Sequence, residues 1–167
     1  MQSVSDHVVG AEEGERADFP RLGNRFVLRG EQTGGRFALV EHTIRPRTLA
    51  APTHVHEHED EYSYVLGGEV GFEVGDEVFT ARTGELVAKP RGVWHAFWNA
   101  ADGPARVLEM ISPAGFERYF AELAQLIPPI RPERDLEGLA ELQARYGLEM
   151  DFASIERLSR EHGLGSP

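Results

Sequence analysis

The 167-residue sequence contains no cysteine, which excludes disulfide bonds and thiolate metal ligands. Any bound metal must therefore be held by nitrogen and oxygen atoms. Basic residues are also scarce: 17 Lys and Arg stand against 28 Asp and Glu, giving a formal net charge of -11. Because nucleic acids and anionic lipid surfaces are themselves negatively charged, we expect neither nucleic acid nor a membrane as a partner.

Long apolar runs are absent as well. No stretch approaches the ~20 apolar residues that span a bilayer, and the N-terminus lacks a basic region followed by an apolar run. We therefore expect a cytoplasmic protein, and the lack of cysteine fits a reducing compartment. A chain of this length is predicted to form one domain with a conventional hydrophobic core.

Short β-type runs separated by turn residues fill the middle of the sequence. They predict a hairpin between residues 26–29 and 36–44, with turn residues at 30–35, and a loop over residues 45–52. Further strands follow, and residues 106–111 form the last of the series. Short strands at intervals of roughly 8 to 12 residues indicate a sandwich or a closed barrel.

After residue 112 the apolar period changes to about 3.6, which is typical of helices. A first helix is predicted from Phe116 to the two prolines at residues 128–129, which cannot continue it. A second is predicted over residues 136–146, and a third over residues 152–162 with Asp151 as its N-cap. None of these helices carries an evident reactive cluster, so we expect them to pack outside the strands.

The sequence therefore divides into three segments. Residues 1–20 are polar and without period, and are predicted to form a flexible N-terminal arm. Residues 21–112 are predicted to form the β-barrel, and residues 113–167 a helical extension packed on it. The predicted fold class is mainly β with two or three C-terminal α-helices.

Candidate metal ligands are concentrated in residues 52–68. His54 and His56 are separated by one residue, so in an extended strand both imidazoles lie on the same face and reach one ion. Glu61 follows a short acidic run that is typical of a turn, which places its carboxylate on the return strand. His58 continues the alternation, but its place in the acidic turn predicts a surface position.

A second informative pattern lies between residues 84 and 99. Five residues stand at the spacing G-x5-P-x-G-x2-H-x3-N, namely Gly84, Pro90, Gly92, His95 and Asn99. The earlier cluster carries H-x-H-x4-E-x6-G, and together the two patterns resemble the two motifs of the cupin family. The resemblance covers roughly residues 26–126 and is strongest to small bacterial cupins grouped with quercetin dioxygenases. One departure is Thr48, where the family usually has Gly.

The resemblance implies a jelly-roll barrel, the double-stranded β-helix, with one divalent metal in its interior. It assigns the ligand roles to His54, His56, Glu61 and His95. Imidazole and carboxylate ligands suit Fe, Mn, Ni, Cu or Zn better than Ca or Mg. If the ion is octahedral, two coordination positions stay open for substrate and for O2 or water. The family also leads us to expect a homodimer.

The leading hypothesis from the sequence is a metal-dependent cupin enzyme, a dioxygenase acting on a small apolar or aromatic molecule that bears an enol or phenol. Oxidation is implied by the resemblance, whereas the metal is supported by the ligand pattern itself. The alternatives are a non-redox cupin isomerase or cyclase, in which the ion acts only as a Lewis acid, and a non-catalytic cupin that binds a small molecule.

For two residues near the predicted site, Glu61 and Phe97, the sequence allows two roles each. Glu61 is either a permanent ligand or a general base that accepts a substrate proton. Phe97 shares the parity of His95 and therefore faces the interior, where it forms either a substrate pocket or plain barrel core. The remaining histidines, His7, His42 and His162, lack ligand spacing and are assigned no role.

Overall fold

The computed structural model describes residues 8–19, 22–126 and 136–165 of the chain. The strands in these ranges are β1 Leu22–Leu28, β2 Ala38–Ile44, β3 Thr48–His56, β4 Asp60–Gly67, β5 Glu69–Val74, β6 Glu77–Arg82, β7 Leu86–Lys89, β8 His95–Asn99, β9 Ala105–Ser112 and β10 Leu148–Asp151. The helices are α1 Gly30–Thr33, α2 Glu117–Leu126, α3 Leu136–Arg145 and α4 Ser154–His162. Each helix in these ranges is too short or too polar to span a lipid bilayer.

The strands form two five-stranded antiparallel sheets that pack as a jelly roll. The first sheet has the order β1-β2-β9-β4-β7, and the second has the order β10-β3-β8-β5-β6. Side chains alternate between the core and the outside, so Val65, Phe72 and Val107 are fully buried while Tyr64, next to Val65, is 42% exposed. The predicted class, mainly β with C-terminal helices, is confirmed.

Two predicted connections contain regular structure. The predicted loop over residues 45–52 is wrong in its second half, because β3 begins at Thr48. Pro52 lies at a register shift in the pairing of β3 with β8, where a residue without an N–H is tolerated. The predicted turn between β1 and β2 contains the single-turn helix α1, which Gly34 ends in a left-handed conformation with φ 64°.

The predicted extension at residues 113–167 is not purely helical, because it contains β10. This strand pairs antiparallel with β3, placing Leu148 opposite His56 and Met150 opposite His54. It therefore forms the edge of the second sheet, beside the strand that carries two predicted metal ligands. The predicted end of α2 at residues 128–129 lies outside the described residues.

The last helix begins two residues later than predicted. Its N-cap is Ala153, while Asp151 Oδ1 accepts a hydrogen bond from the Ala153 N–H at 3.0 Å, just before the helix. Leu158 of α4 is fully buried against Ala96 and Trp98 on the outer face of the second sheet. The helix is thereby anchored to β8.

The helices α2 and α3 and part of the N-terminal arm pack against the first sheet. Phe116 and Leu142 belong to an apolar cluster with Phe26 and Ile111, which joins α2 and α3 to the first sheet. The arm is predicted to be flexible, but its residues 15–19 are hydrogen-bonded to β1. For example, the Ala17 N–H donates to the Asn24 carbonyl at 2.9 Å. This part of the arm is fixed against the barrel.

Candidate metal centre

The four predicted ligands meet inside the barrel. His54 and His56 lie on β3, and His95 lies directly opposite His54 on the neighbouring strand β8. Glu61 reaches the same point from β4 in the facing sheet. One ligand atom from each residue lies within 4.8 Å of the other three, and all four residues are buried. The structure therefore brings together the four residues to which the resemblance assigned ligand roles.

Backbone carbonyls orient two of the imidazoles. His54 Nδ1 donates to the Pro52 carbonyl at 2.7 Å, and His95 Nδ1 donates to the Val93 carbonyl at 2.9 Å. Because a carbonyl oxygen only accepts, each Nδ1 carries the hydrogen and each Nε2 keeps its lone pair. An imidazole in this tautomer is ready to bind a metal through Nε2.

The polar atoms that face the cluster support the same conclusion. Among the described residues, nothing forms a hydrogen bond with the buried Nε2 atoms of His56 and His95. Buried polar nitrogens are normally paired, so unpaired nitrogens that converge on one point need an explanation. A metal ion held by these residues would give both nitrogens a partner, and a donor set of imidazole nitrogens and a carboxylate oxygen fits a divalent transition metal. The residues present therefore fit the implied ion.

Burial also keeps the imidazoles of His54 and His56 neutral. Loss of hydration lowers the pKa of His54 well below 6.5, and the neighbouring His95 and His56 lower it further. Burial likewise lowers the pKa of His56 to about 4, although the negative charge of Glu61 opposes this shift. Neutral imidazole is the form that binds metals, so little proton release is needed at neutral pH.

Glu61 is held in its charged form by a buried lysine. Burial is the largest single effect and raises the pKa of this carboxyl, but the positive charge of Lys89 and the interactions with His56 and His95 together outweigh burial and lower the pKa of Glu61 well below 4.5. Lys89 Nζ donates to Glu61 Oε2 at 2.9 Å, while Oε1 lies 3.5 Å from His56 Nε2. Oε2, the oxygen bound to the lysine, also lies 3.4 Å from His95 Nε2, so both carboxylate oxygens face the histidines.

Lys89 belongs to a wider buried network that the sequence analysis missed. Its Nζ also donates to Glu109 Oε2 at 2.9 Å, and the same oxygen accepts from Ser63 Oγ at 2.7 Å. Burial raises the pKa of Glu109 to about 7, despite the opposing charge of Lys89. The available signal was alternation, because Glu109 shares parity with the apolar Val107 on β9 and Lys89 shares parity with Val87 on β7.

A cavity of about 100 Å³ adjoins the metal-ligand cluster. Its walls come from both sheets, α2 and β10, and include His42, His54, Phe97, Phe116, Phe120 and Met150. Phe97 lines this cavity and also packs in the apolar core. His58 is exposed and outside the cluster, at the surface position expected for it.

The chain is similar to known proteins in part of its sequence and in its fold. Residues 40–111 match the cupin domain family. The structure resembles KdgF from Halomonas sp. at 18% identity, covering 66% of this chain and 97% of that chain with a TM-score of 0.58. It also resembles a predicted oxalate decarboxylase from Thermotoga maritima at 21% identity, covering 64% and 98% with a TM-score of 0.58. A third similar structure is a conserved protein with a double-stranded β-helix domain from Klebsiella pneumoniae subsp. pneumoniae, at 19% identity, 66% and 93% coverage and a TM-score of 0.56. No curated protein sequence matches significantly.

Proposed function

We propose that this chain, which has a cupin-domain match and the cupin fold, is a metal-dependent enzyme. In this proposal it acts as a dioxygenase on a small apolar or aromatic molecule that bears an enol or phenol. The observation that carries the proposal is the buried cluster of three imidazoles and one carboxylate beside a largely apolar cavity. The oxidative part of the proposal rests on the resemblance to quercetin dioxygenase-like cupins.

The ligand set determines what chemistry a bound ion supplies. A divalent Fe, Mn, Ni, Cu or Zn held by His54, His56, Glu61 and His95 would polarise an enol or phenol oxygen and lower its pKa. The charged state of Glu61 supports a role as a permanent ligand, because a carboxyl whose pKa is well below 4.5 is a poor acceptor for a substrate proton. We therefore prefer the ligand role over the general-base role.

The aromatic side chains around the site provide a water-poor environment. The ring centroid of Phe116 lies 4.3 Å from that of His56, and Phe97 lines the adjoining cavity next to His54. Excluding water strengthens electrostatic interactions at the reacting atoms and protects reactive species from hydrolysis. These rings also offer a surface on which a planar apolar substrate packs.

The size of the cavity limits the substrate. About 100 Å³ is smaller than the roughly 150 Å³ cavity that accepts a benzene molecule. A substrate of about one ring therefore fits with a small outward shift of α2, whereas a three-ring flavonol requires a much larger displacement. We expect monocyclic phenols and short diketones to be better substrates than flavonols.

The proposal is tested by metal analysis combined with O2 uptake. Untagged protein is assayed for bound metal and then for O2 consumption with phenols, diketones and flavonols. We expect near one redox-active metal per chain and substrate-dependent uptake. His54→Ala and His95→Ala should each abolish metal binding while circular dichroism shows a folded barrel, and the exposed His58→Ala serves as the matched control that keeps its metal.

Other outcomes separate the alternatives. Metal binding without O2 uptake for any compound would contradict the dioxygenase and favour a Lewis-acid isomerase or cyclase. Failure to bind metal even after reconstitution would contradict both enzymes and favour a small-molecule-binding module. Full metal occupancy in either His→Ala variant would refute the assignment of the ligands.

A further inference from the structure

The cavity beside the metal-ligand cluster has a second imidazole in its wall, that of His42 on β2. His42 is almost completely buried and lies among aromatic rings, with its ring centroid 5.3 Å from that of Phe120 and 6.1 Å from that of Phe97. It shares parity with Val40 and Ile44, both fully buried, so β2 directs it into the barrel. It does not belong to the metal-ligand cluster.

Asn24 fixes which ring nitrogen of His42 carries the hydrogen. Asn24 Nδ2 donates to the Ala17 carbonyl at 2.6 Å, and because that oxygen only accepts, the orientation of the amide is determined. Asn24 Oδ1 therefore faces His42 Nδ1 at 2.7 Å and accepts its hydrogen. Nε2 is the other nitrogen of a ring that lines the cavity.

Nε2 of His42 is a hydrogen-bond acceptor. Burial lowers the pKa of His42 to about 4, and the positive charge of Lys89 adds to this shift, so the ring is neutral at physiological pH. With the hydrogen on Nδ1, Nε2 presents a lone pair. In the part of the chain that the structure describes, no group donates a hydrogen bond to it. An unpaired acceptor in an apolar cavity is suited to a ligand that brings a donor.

We propose that His42 orients the substrate, its Nε2 accepting a hydrogen bond from a hydroxyl group on a small, otherwise apolar molecule that fills the cavity between His42 and His54. The inference rests on the proposed function, because it takes this cavity as the substrate site. It adds a requirement: the substrate carries one oxygen for the metal and a second, separate hydroxyl as a donor for His42. Nothing in the ligand cluster imposes that second group.

The test uses two probes of nearly equal size on the full-length, Zn²⁺-loaded protein. Resorcinol carries two hydroxyls, whereas in 3-methylphenol a methyl group replaces the second hydroxyl and removes the donor. Zn²⁺ keeps oxidation out of the measurement, so calorimetry reports binding alone. The readout is the ratio of the dissociation constant of 3-methylphenol to that of resorcinol, compared between the wild type and variants.

We expect His42→Phe to lower this ratio by about tenfold, because a hydrogen bond of this kind contributes about 1.4 kcal/mol. His42→Gln should retain most of the ratio, since its amide still donates toward Asn24 and still presents an acceptor to the cavity. Zn²⁺ affinity should be unchanged in both variants. His42→Leu provides a second apolar replacement in case the larger ring does not fold.

An unchanged ratio in the folded apolar variant would overturn the role of His42. The same holds if the wild-type protein does not bind resorcinol. The proposed function fails in a different way, namely if wild-type protein does not bind Zn²⁺ or if His54→Ala leaves Zn²⁺ affinity intact. The two failures are therefore distinguishable in one set of titrations.

Discussion

Replacing Lys89 by methionine tests the electrostatic design of the site. Lys89 is 1% exposed, and its ammonium group lies 2.9 Å from carboxylate oxygens of both Glu61 and Glu109. Lys89→Met keeps the length and apolar stem of the side chain but removes the charge. Two buried carboxyl groups then share the interior without a cation.

The two carboxyl groups should respond differently. Glu109, with a pKa already raised to about 7, takes up a proton at little cost and keeps its hydrogen bond from Ser63. Glu61 is charged in the wild type and loses the partner that stabilises its charge. Breaking a buried ion pair from one side destabilises by roughly 3 to 5 kcal/mol, and since only one carboxylate stays charged we expect about 3 kcal/mol.

The assay is urea unfolding at pH 7 with and without Zn²⁺. With a urea dependence of about 2 kcal/mol per molar, the midpoint of chelator-treated Lys89→Met should fall by about 1.5 M. Zn²⁺ should recover much of this loss, because the ion balances the charge of Glu61. Arg82→Met removes the cation of an exposed pair with Glu69, at 3.1 Å, and should leave the midpoint nearly unchanged.

The reasoning is refuted if Lys89→Met unfolds at the same urea concentration as the wild type in chelator. It is also refuted if Zn²⁺ stabilises the variant no more than it stabilises the wild type. The first result would mean that the pair contributes no net stability, and the second would mean that Glu61 does not face the ion.

Three further predictions concern packing and pH. A Cβ added to Gly71 would lie 2.2 Å from Trp98 Nε1, so Gly71→Ala should lower the free energy of unfolding by about 1 to 3 kcal/mol, as measured by thermal unfolding. Gly67 has open space around it, so Gly67→Ala should leave the stability unchanged. Leu158→Ala should cost about 2 to 5 kcal/mol because its side chain is fully buried, and metal binding should persist. The folded state lowers the pKa of His42 to about 4, whereas in the unfolded state it returns to 6.5, so the unfolded state binds the extra proton at pH 5. Lowering the pH from 7 to 5 should therefore reduce the free energy of unfolding of the wild type by about 2 kcal/mol more than that of His42→Gln. Equal losses for the two proteins in urea unfolding would contradict this prediction.

The ligands were predictable because their placement depends on local geometry. One-residue spacing puts His54 and His56 on the same face of any strand, and this holds even though the start of that strand at Thr48 was predicted wrongly. Family resemblance then joined His95 and Glu61 to them. The presence of the strands was equally predictable from the sequence, since alternation and glycine-containing turns recur along residues 69–99.

The residues that surround the ligands were not predictable in the same way. Alternation shows that Lys89 and Glu109 face inward, but their meeting depends on the registers of β7 and β9 against β4. Those registers place Lys89 opposite Glu61, and Glu109 opposite Ser63, across two different strand pairs. The strand β10 alternates apolar and polar residues, but over only four positions such a pattern does not predict a strand, and its pairing with β3 makes it one.

The pairing of β10 with β3 has a consequence for synthesis of the chain. A ribosome makes the two ligand motifs early, and β10 emerges only after α2 and α3. Until then, β3 is an uncovered sheet edge whose backbone groups are available to strands of other nascent chains. Shortened versions that end between β9 and β10 keep every ligand and the whole first sheet but expose this edge permanently, and we expect them to aggregate rather than to bind metal.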